Sequence, residues 1–169
     1  VSEDLANRTQ ADRGTDEAVQ SSEEKQFVVF ELSRETYGIE INAVREIIVM
    51  QELTTLPKCP DYVKGVINLR GTVIPVFDLA CKLGIDSLKE SKSSRIIVVE
   101  VGEYTIGMIV DAVSEVLMLP ADIIEPPSGI IVSGVSEKFI EGIAKRPEQL
   151  IIILDLGSTL AGESLGMAC

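Results

Sequence analysis

The sequence predicts a mostly β chain made of two related halves, and three observations predict it. Short Val/Ile-rich runs recur between turn residues at intervals of roughly 8–12 positions, the spacing of barrels or sandwiches rather than of alternating βαβ units. A composite unit of hairpin, proline-interrupted strand and capped helix occurs twice. The apolar content is 46% of the chain with only 4% aromatic residues and no Trp. The core is therefore Val, Ile and Leu, which suit a pleated surface.

Taken in order, residues 1–25 are polar and acidic with no sustained apolar period and read as a disordered tail. Phe27–Leu32 and Thr36–Ile41 read as strands joined by a turn at Ser33-Arg34-Glu35. Val44–Met50 mixes a helical spacing of apolar residues with β-branched content, and is taken as a short turn followed by a strand. The loop Leu56–Gly65 is bounded by Pro57 and Pro60, with room for one helical turn. Val66–Leu69 and Val73–Phe77 form a hairpin around Arg70-Gly71. Pro75 has no N–H to give a ladder, which places it at a sheet edge or a bulge. Asp78 precedes the short helical pattern Leu79–Leu83 and suits its N-cap, with Gly84 as the stop.

Asp86–Ser94 is a polar linker. Arg95–Val101 and Tyr104–Val110 make the next strand pair around Gly102-Glu103, and Ala112–Leu119 repeats the turn-strand segment. Glu125–Val132 is an irregular Pro-Pro-Ser-Gly loop; Phe139–Lys145 and Leu150–Leu154 are the last strands. From Gly157 the chain is weakly helical, with residues 163–169 as a tail. The second half follows the first position by position. Phe27–Leu32 aligns with Ile96–Val101, Gly38 with Gly107, Ala43-Val44 with Ala112-Val113, and Glu46 with Glu115. Gly65 aligns with Gly142 and Asp78-Leu79 with Asp155-Leu156. A repeat of two gives a pair of similar subdomains rather than a solenoid, with halves at about 27–84 and 95–160.

Composition excludes several functions. A net charge of −12 is wrong for neutralising nucleic-acid phosphates or an anionic membrane surface. No apolar run approaches the ~18 residues of a membrane span, and the N-terminal stretch lacks a secretory layout, so a cytoplasmic protein is expected. With no histidine, most zinc sites and any His-based triad are excluded. No metal or cofactor is expected. Cys59, Cys81 and Cys169 show no paired spacing and read as free thiols.

Among candidate residues, Arg70 has two readings. Its five fixed donors suit a partner's carboxylate or carbonyls, or a local ion pair with Asp78 or Glu46. Glu46 and Glu115 as a carboxylate pair would suggest acid–base chemistry, but nothing else in the chain supports a hydrolase. Asp78 and Asp155 follow strands as phospho-acceptors do, and capping is the simpler role. Val44 and Val113 belong either to the core or to a seam where a partner helix docks.

Leu56-Pro57-x-x-Pro60-x-x-Val63-x-Gly65-Val66-Ile67-Asn68-Leu69-Arg70-Gly71-x-Val73-Ile74-Pro75-Val76-x-Asp78-Leu79 resembles the signature of the bacterial CheW chemotaxis coupling family. Val110-Asp111-x-Val113-x-Glu115-Val116-Leu117 and Gly142-Ile143-Ala144 with Ile151–Leu156 resemble its later motifs, over about residues 26–162. The resemblance implies two SH3-like five-stranded β-barrel subdomains with short helices. It implies a non-catalytic adaptor joining the cytoplasmic tip of methyl-accepting chemoreceptors to the regulatory domain of the histidine kinase CheA. Receptor-binding positions carry over to Val44, Glu46, Gly65, Arg70 and Val113. Ile130 and Ile131, apolar residues on the Pro-Pro-Ser-Gly loop, are the expected kinase contact. An excised regulatory domain of CheA would share these motifs, and a coupling–receiver fusion would need more chain after Leu160.

Overall fold

A computed structural model describes residues 23–127 and 134–160. The chain forms eleven strands among the described residues: β1 Glu24–Leu32, β2 Glu35–Glu40, β3 Val44–Val49, β4 Val63–Leu69, β5 Thr72–Asp78, β6 Arg95–Val101, β7 Tyr104–Val110, β8 Ala112–Pro120, β9 Ile124–Glu125, β10 Ile140–Arg146 and β11 Gln149–Leu154. Two one-turn helices follow β5 and β11: α1, Leu79–Leu83, and α2, Leu156–Leu160. The strands make two sheets, one in the order β8-β1-β2-β11-β10-β9 and one in the order β3-β6-β7-β5-β4. The fold is mostly β, as the sequence predicts. The short β9 gives the first sheet six strands where five were expected.

The sheets do not coincide with the sequence halves. Each takes strands from both. The exchange is made by two parallel pairings at equivalent positions, Ile153 opposite Gly38 and Val76 opposite Gly107. Four register shifts also fall at equivalent places: beside Glu46 and Glu115, and beside Gly65 and Gly142. A bulge raises local twist and bends its strand, which helps a sheet curl. Both sheets are then wrapped by their own chain. After the end strand β8, residues 121–123 make a 3-10 turn and β9 pairs with β10 at the far side. After the end strand β3, Thr54 crosses to β4, where its N–H and carbonyl exchange two 2.9 Å hydrogen bonds with Val66.

The cores follow from this arrangement. β1 and β6 are buried on both faces. Phe27 and Val29 pack with Leu119, Ala144, Ile151 and Ile153 inside one sheet, and Ile96 and Val98 with Ile67, Ile74 and Val76 inside the other. The opposite faces, Val28 and Phe30 with Ile97 and Val99, join one larger core shared by the two sheets and both helices. Continuous apolar runs in these strands are the sequence trace of two-sided burial.

Several local expectations need correction. Of the edge or bulge expected for Pro75, the edge does not hold: Pro75 lies on β5, an internal strand of its sheet, opposite Val66 and next to the register shift beside Gly65. It is tolerated because β5 pairs with β7 only from Val76 onward. The Leu56–Gly65 loop contains turns, with Lys58 at φ 59°, and no helical turn. The segment before Ile140 is a 3-10 turn, Glu137–Phe139, rather than strand. β1 begins at Glu24, inside the expected tail. Cys81 is a free thiol, but Cys59 is disulfide-bonded, contrary to the free thiol expected there.

Candidate functional site

The site is built on the β4–β5 hairpin and on β3, which lie at opposite ends of the five-stranded sheet. The two central residues of the hairpin turn, Arg70 and Gly71, have φ of 52° and 87°. Positive φ at both positions is the I′ geometry, whose hand matches the twist of the flanking strands. Asn68 steadies the turn, its Oδ1 accepting from the Gly71 N–H at 2.8 Å. Glycine is at home in this geometry and arginine is not, since a Cβ there crowds the backbone.

From that turn the Arg70 guanidinium reaches β3 and grips Glu46 with two parallel bonds. Nη1 donates to Oε2 and Nη2 to Oε1, both at 2.8 Å. Such a fork-to-fork pair fixes orientation as well as distance. The hydrogen bond from Arg70 holds the Glu46 carboxyl below the usual carboxylate range, with the nearby charges of Arg70 and Arg45 adding to it. The same bond raises Arg70 further. Both groups are thus charged at neutral pH. Arg70 leaves 72% of its side chain exposed and Glu46 24%, so the arginine is the accessible half of the clasp. Its remaining donors make no other hydrogen bond among the described residues and can take a carboxylate or carbonyl from outside.

Asp78, the other expected partner of Arg70, is engaged elsewhere. Its Oδ1 accepts from Cys81 N at 3.4 Å at the start of α1, and its Oδ2 accepts from the Ser87 hydroxyl at 2.6 Å. Asp155 does the same for α2, accepting from Ser158 N at 3.2 Å. Both aspartates are caps, as the sequence reading favoured.

Gly65 is buried on β4 with φ 150°. A Cβ there would collide with the Thr54 carbonyl oxygen, so the residue is where the wrapping segment crosses its strand. Val44 and Val113 are half-buried at the starts of β3 and β8 and pack against the shared core. They occupy equivalent positions, opposite Val99 and Phe30. The structure therefore joins Glu46 directly to Arg70, places Gly65 on the same hairpin and Val44 on the same strand, and leaves Val113 on the other sheet. Ile130 and Ile131 lie outside the described residues. Glu115 is exposed on β8, with no ion pair among the described residues.

Two features escaped the sequence reading. Thr54 has no pattern to mark it, because its bridge to Val66 is a tertiary event. Val73, 64% exposed on the β5 arm of the clasp hairpin, was hidden in an apolar strand. Its alternation with buried Ile74 was the available signal.

Comparison with known proteins points one way. The CheW-like domain matches residues 26–164. The chemotaxis protein CheW of Klebsiella aerogenes is 33% identical over 143 residues, covering 85% of this chain and 86% of that protein. CheW of Thermotoga maritima is 35% identical over 137 residues, covering 78% and 86%. The crystal structure of the scaffolding protein TtCheW from Thermoanaerobacter tengcongensis superposes with a TM-score of 0.76 at 42% identity, covering 82% of this chain and 89% of that one. With its two strand-exchanged sheets and its signature hairpin, the chain belongs to the CheW-like domain family of chemotaxis proteins.

Proposed function

We propose that this chain is an adaptor that couples methyl-accepting chemoreceptors to the histidine kinase CheA, with the Glu46–Arg70 clasp as the centre of the receptor contact. The observation that supports it is the clasp itself: of the non-glycine residues at left-handed φ among the described residues, Ser33, Arg34, Lys58 and Arg70, Arg70 is the one also held by a two-pronged ion pair. Backbone in that region costs of order 1 kcal/mol for a side chain of this kind, and such residues gather at functional sites. A guanidinium held by Glu46 and mostly exposed is pre-organised for a partner, so little rotamer freedom is lost on binding. Val44, Glu46, Gly65 and Arg70 make up the receptor side. Val44 and Gly65 act by setting the strand and hairpin that carry the clasp, and Val113 through the shared core. Ile130 and Ile131 remain the proposed kinase contact. Receptor state moves the kinase only through contacts that differ between the kinase's states.

The test is CheA autophosphorylation in receptor-containing membranes with and without the chain. Activation that depends on both the receptor and the added chain is expected. Arg70→Glu should reduce chain recovered with receptor membranes by tenfold or more while its circular dichroism spectrum stays unchanged. Undiminished binding would return Arg70 to a purely local ion pair. The regulatory-domain alternative predicts instead that the isolated chain fails to activate separate full-length kinase.

A further inference from the structure

The second half carries the counterpart of the clasp with one component removed. Glu115 stands on β8 where Glu46 stands on β3, each beside an equivalent register shift. The β10–β11 hairpin matches β4–β5 residue for residue, Ile143 opposite Ile152 as Val66 is opposite Pro75. At the turn, however, Arg70-Gly71 is replaced by Pro147-Glu148. Proline fixes φ near −65°, so this hairpin cannot adopt the left-handed turn. Neither Pro147 nor Glu148 has a positive φ. The change removes the guanidinium and also the backbone direction from which Arg70 reaches Glu46. Two cations remain on that hairpin, and neither takes the place of Arg70: Lys145 is bound to Glu125 on β9 at 2.6 Å, and Arg146, exposed beside the turn, holds the strand position equivalent to Leu69 and makes no ion pair with Glu115 among the described residues.

We infer that the β8/β10–β11 face is a silenced copy of the partner site, and that Pro147-Glu148 is the determinant making the adaptor one-sided. The acceptor Glu115 is still in place. What the face lacks is the turn. A partner element able to satisfy the exposed donors of a clasped arginine would meet there an unclasped Arg146 and a separate carboxylate, with no guanidinium held in the orientation of Arg70. This inference rests on the functional reading above.

The experiment transplants the turn. In the full-length chain, Arg70→Gly silences the first site, and Pro147→Arg with Glu148→Gly is added on top. Co-sedimentation with receptor-containing membranes is measured for the parent, the Arg70→Gly variant and the triple variant, and the crystal structure of the triple variant is determined. We expect the new guanidinium on Glu115, a loss of tenfold or more in Arg70→Gly, and recovery in the triple variant to within tenfold of the parent. A guanidinium that does not reach Glu115 overturns the equivalence of the hairpins. A formed clasp without recovered binding overturns the silenced site. Failure of the parent chain itself to bind would overturn the functional reading, while the crystal structure would still decide whether the clasp can be transplanted.

Discussion

Arg70 and Tyr37 each hold a position that stability alone would assign differently. Arg70 sits at φ 52°. Asparagine tolerates that region better, so Arg70→Asn should leave stability unchanged or raise it by up to about 1 kcal/mol. Receptor binding should fall in the same variant. Urea titration alongside membrane co-sedimentation separates the two effects, and a parallel loss of both would make the clasp structural. Tyr37 is the second case. It is fully buried against Phe30, and its hydroxyl has no hydrogen-bond partner among the described residues. Its counterpart in the second half is the purely apolar Ile106. Burial, aided by Glu35, raises its pKa to about 12. The folded state thus favours the neutral phenol, a contribution present below the unfolded pKa of about 10 and lost as pH climbs through 12. Tyr37→Phe should stabilise by about 1 kcal/mol at neutral pH and flatten the loss of stability between about pH 10 and 12, read by denaturant unfolding at each pH.

At the level of elements, the hairpins and their caps were legible and the wraps were not. Arg70-Gly71 between two β-rich runs announced a turn, because turn chemistry is set by two residues. Asp78 and Asp155 announced helix starts for the same reason. The crossing at Gly65 left only a glycine in the text, since the neighbour that demands it, Thr54, arrives from another part of the chain. Gly65→Ala should cost more than 2 kcal/mol, because the backbone of Thr54 must move to admit the Cβ. Gly71→Ala meets nothing within 4 Å and should cost only the ~1 kcal/mol of its left-handed φ. Thermal unfolding of the two variants checks the difference. The Glu46–Arg70 clasp was among the ion pairs open to Arg70 in the sequence. What chose it over Asp78 was the α1 N-cap, which had already engaged that carboxylate.

For the whole molecule, the exchange of strands makes the two halves mutually dependent. The six-stranded sheet needs β1 and β2 from the first half, and the five-stranded sheet needs β6 and β7 from the second. A chain cut within the Asp86–Ser94 linker should therefore give two fragments that are each unfolded alone and regain the native spectrum when mixed. An independently folded fragment would contradict the coupling. The sequence by itself determined the strand count to within the short β9, the duplication, the caps and the signature hairpin. These depend on residue period and turn chemistry, which act over a few neighbours. Only the tertiary structure decided which strands share a sheet. Gly38 and Gly107 are equivalent, and so are Val76 and Ile153, so pairing within a half or across halves presents the same local chemistry. The choice belongs to how the chain closes each sheet and buries both faces of β1 and β6, a property of the whole molecule.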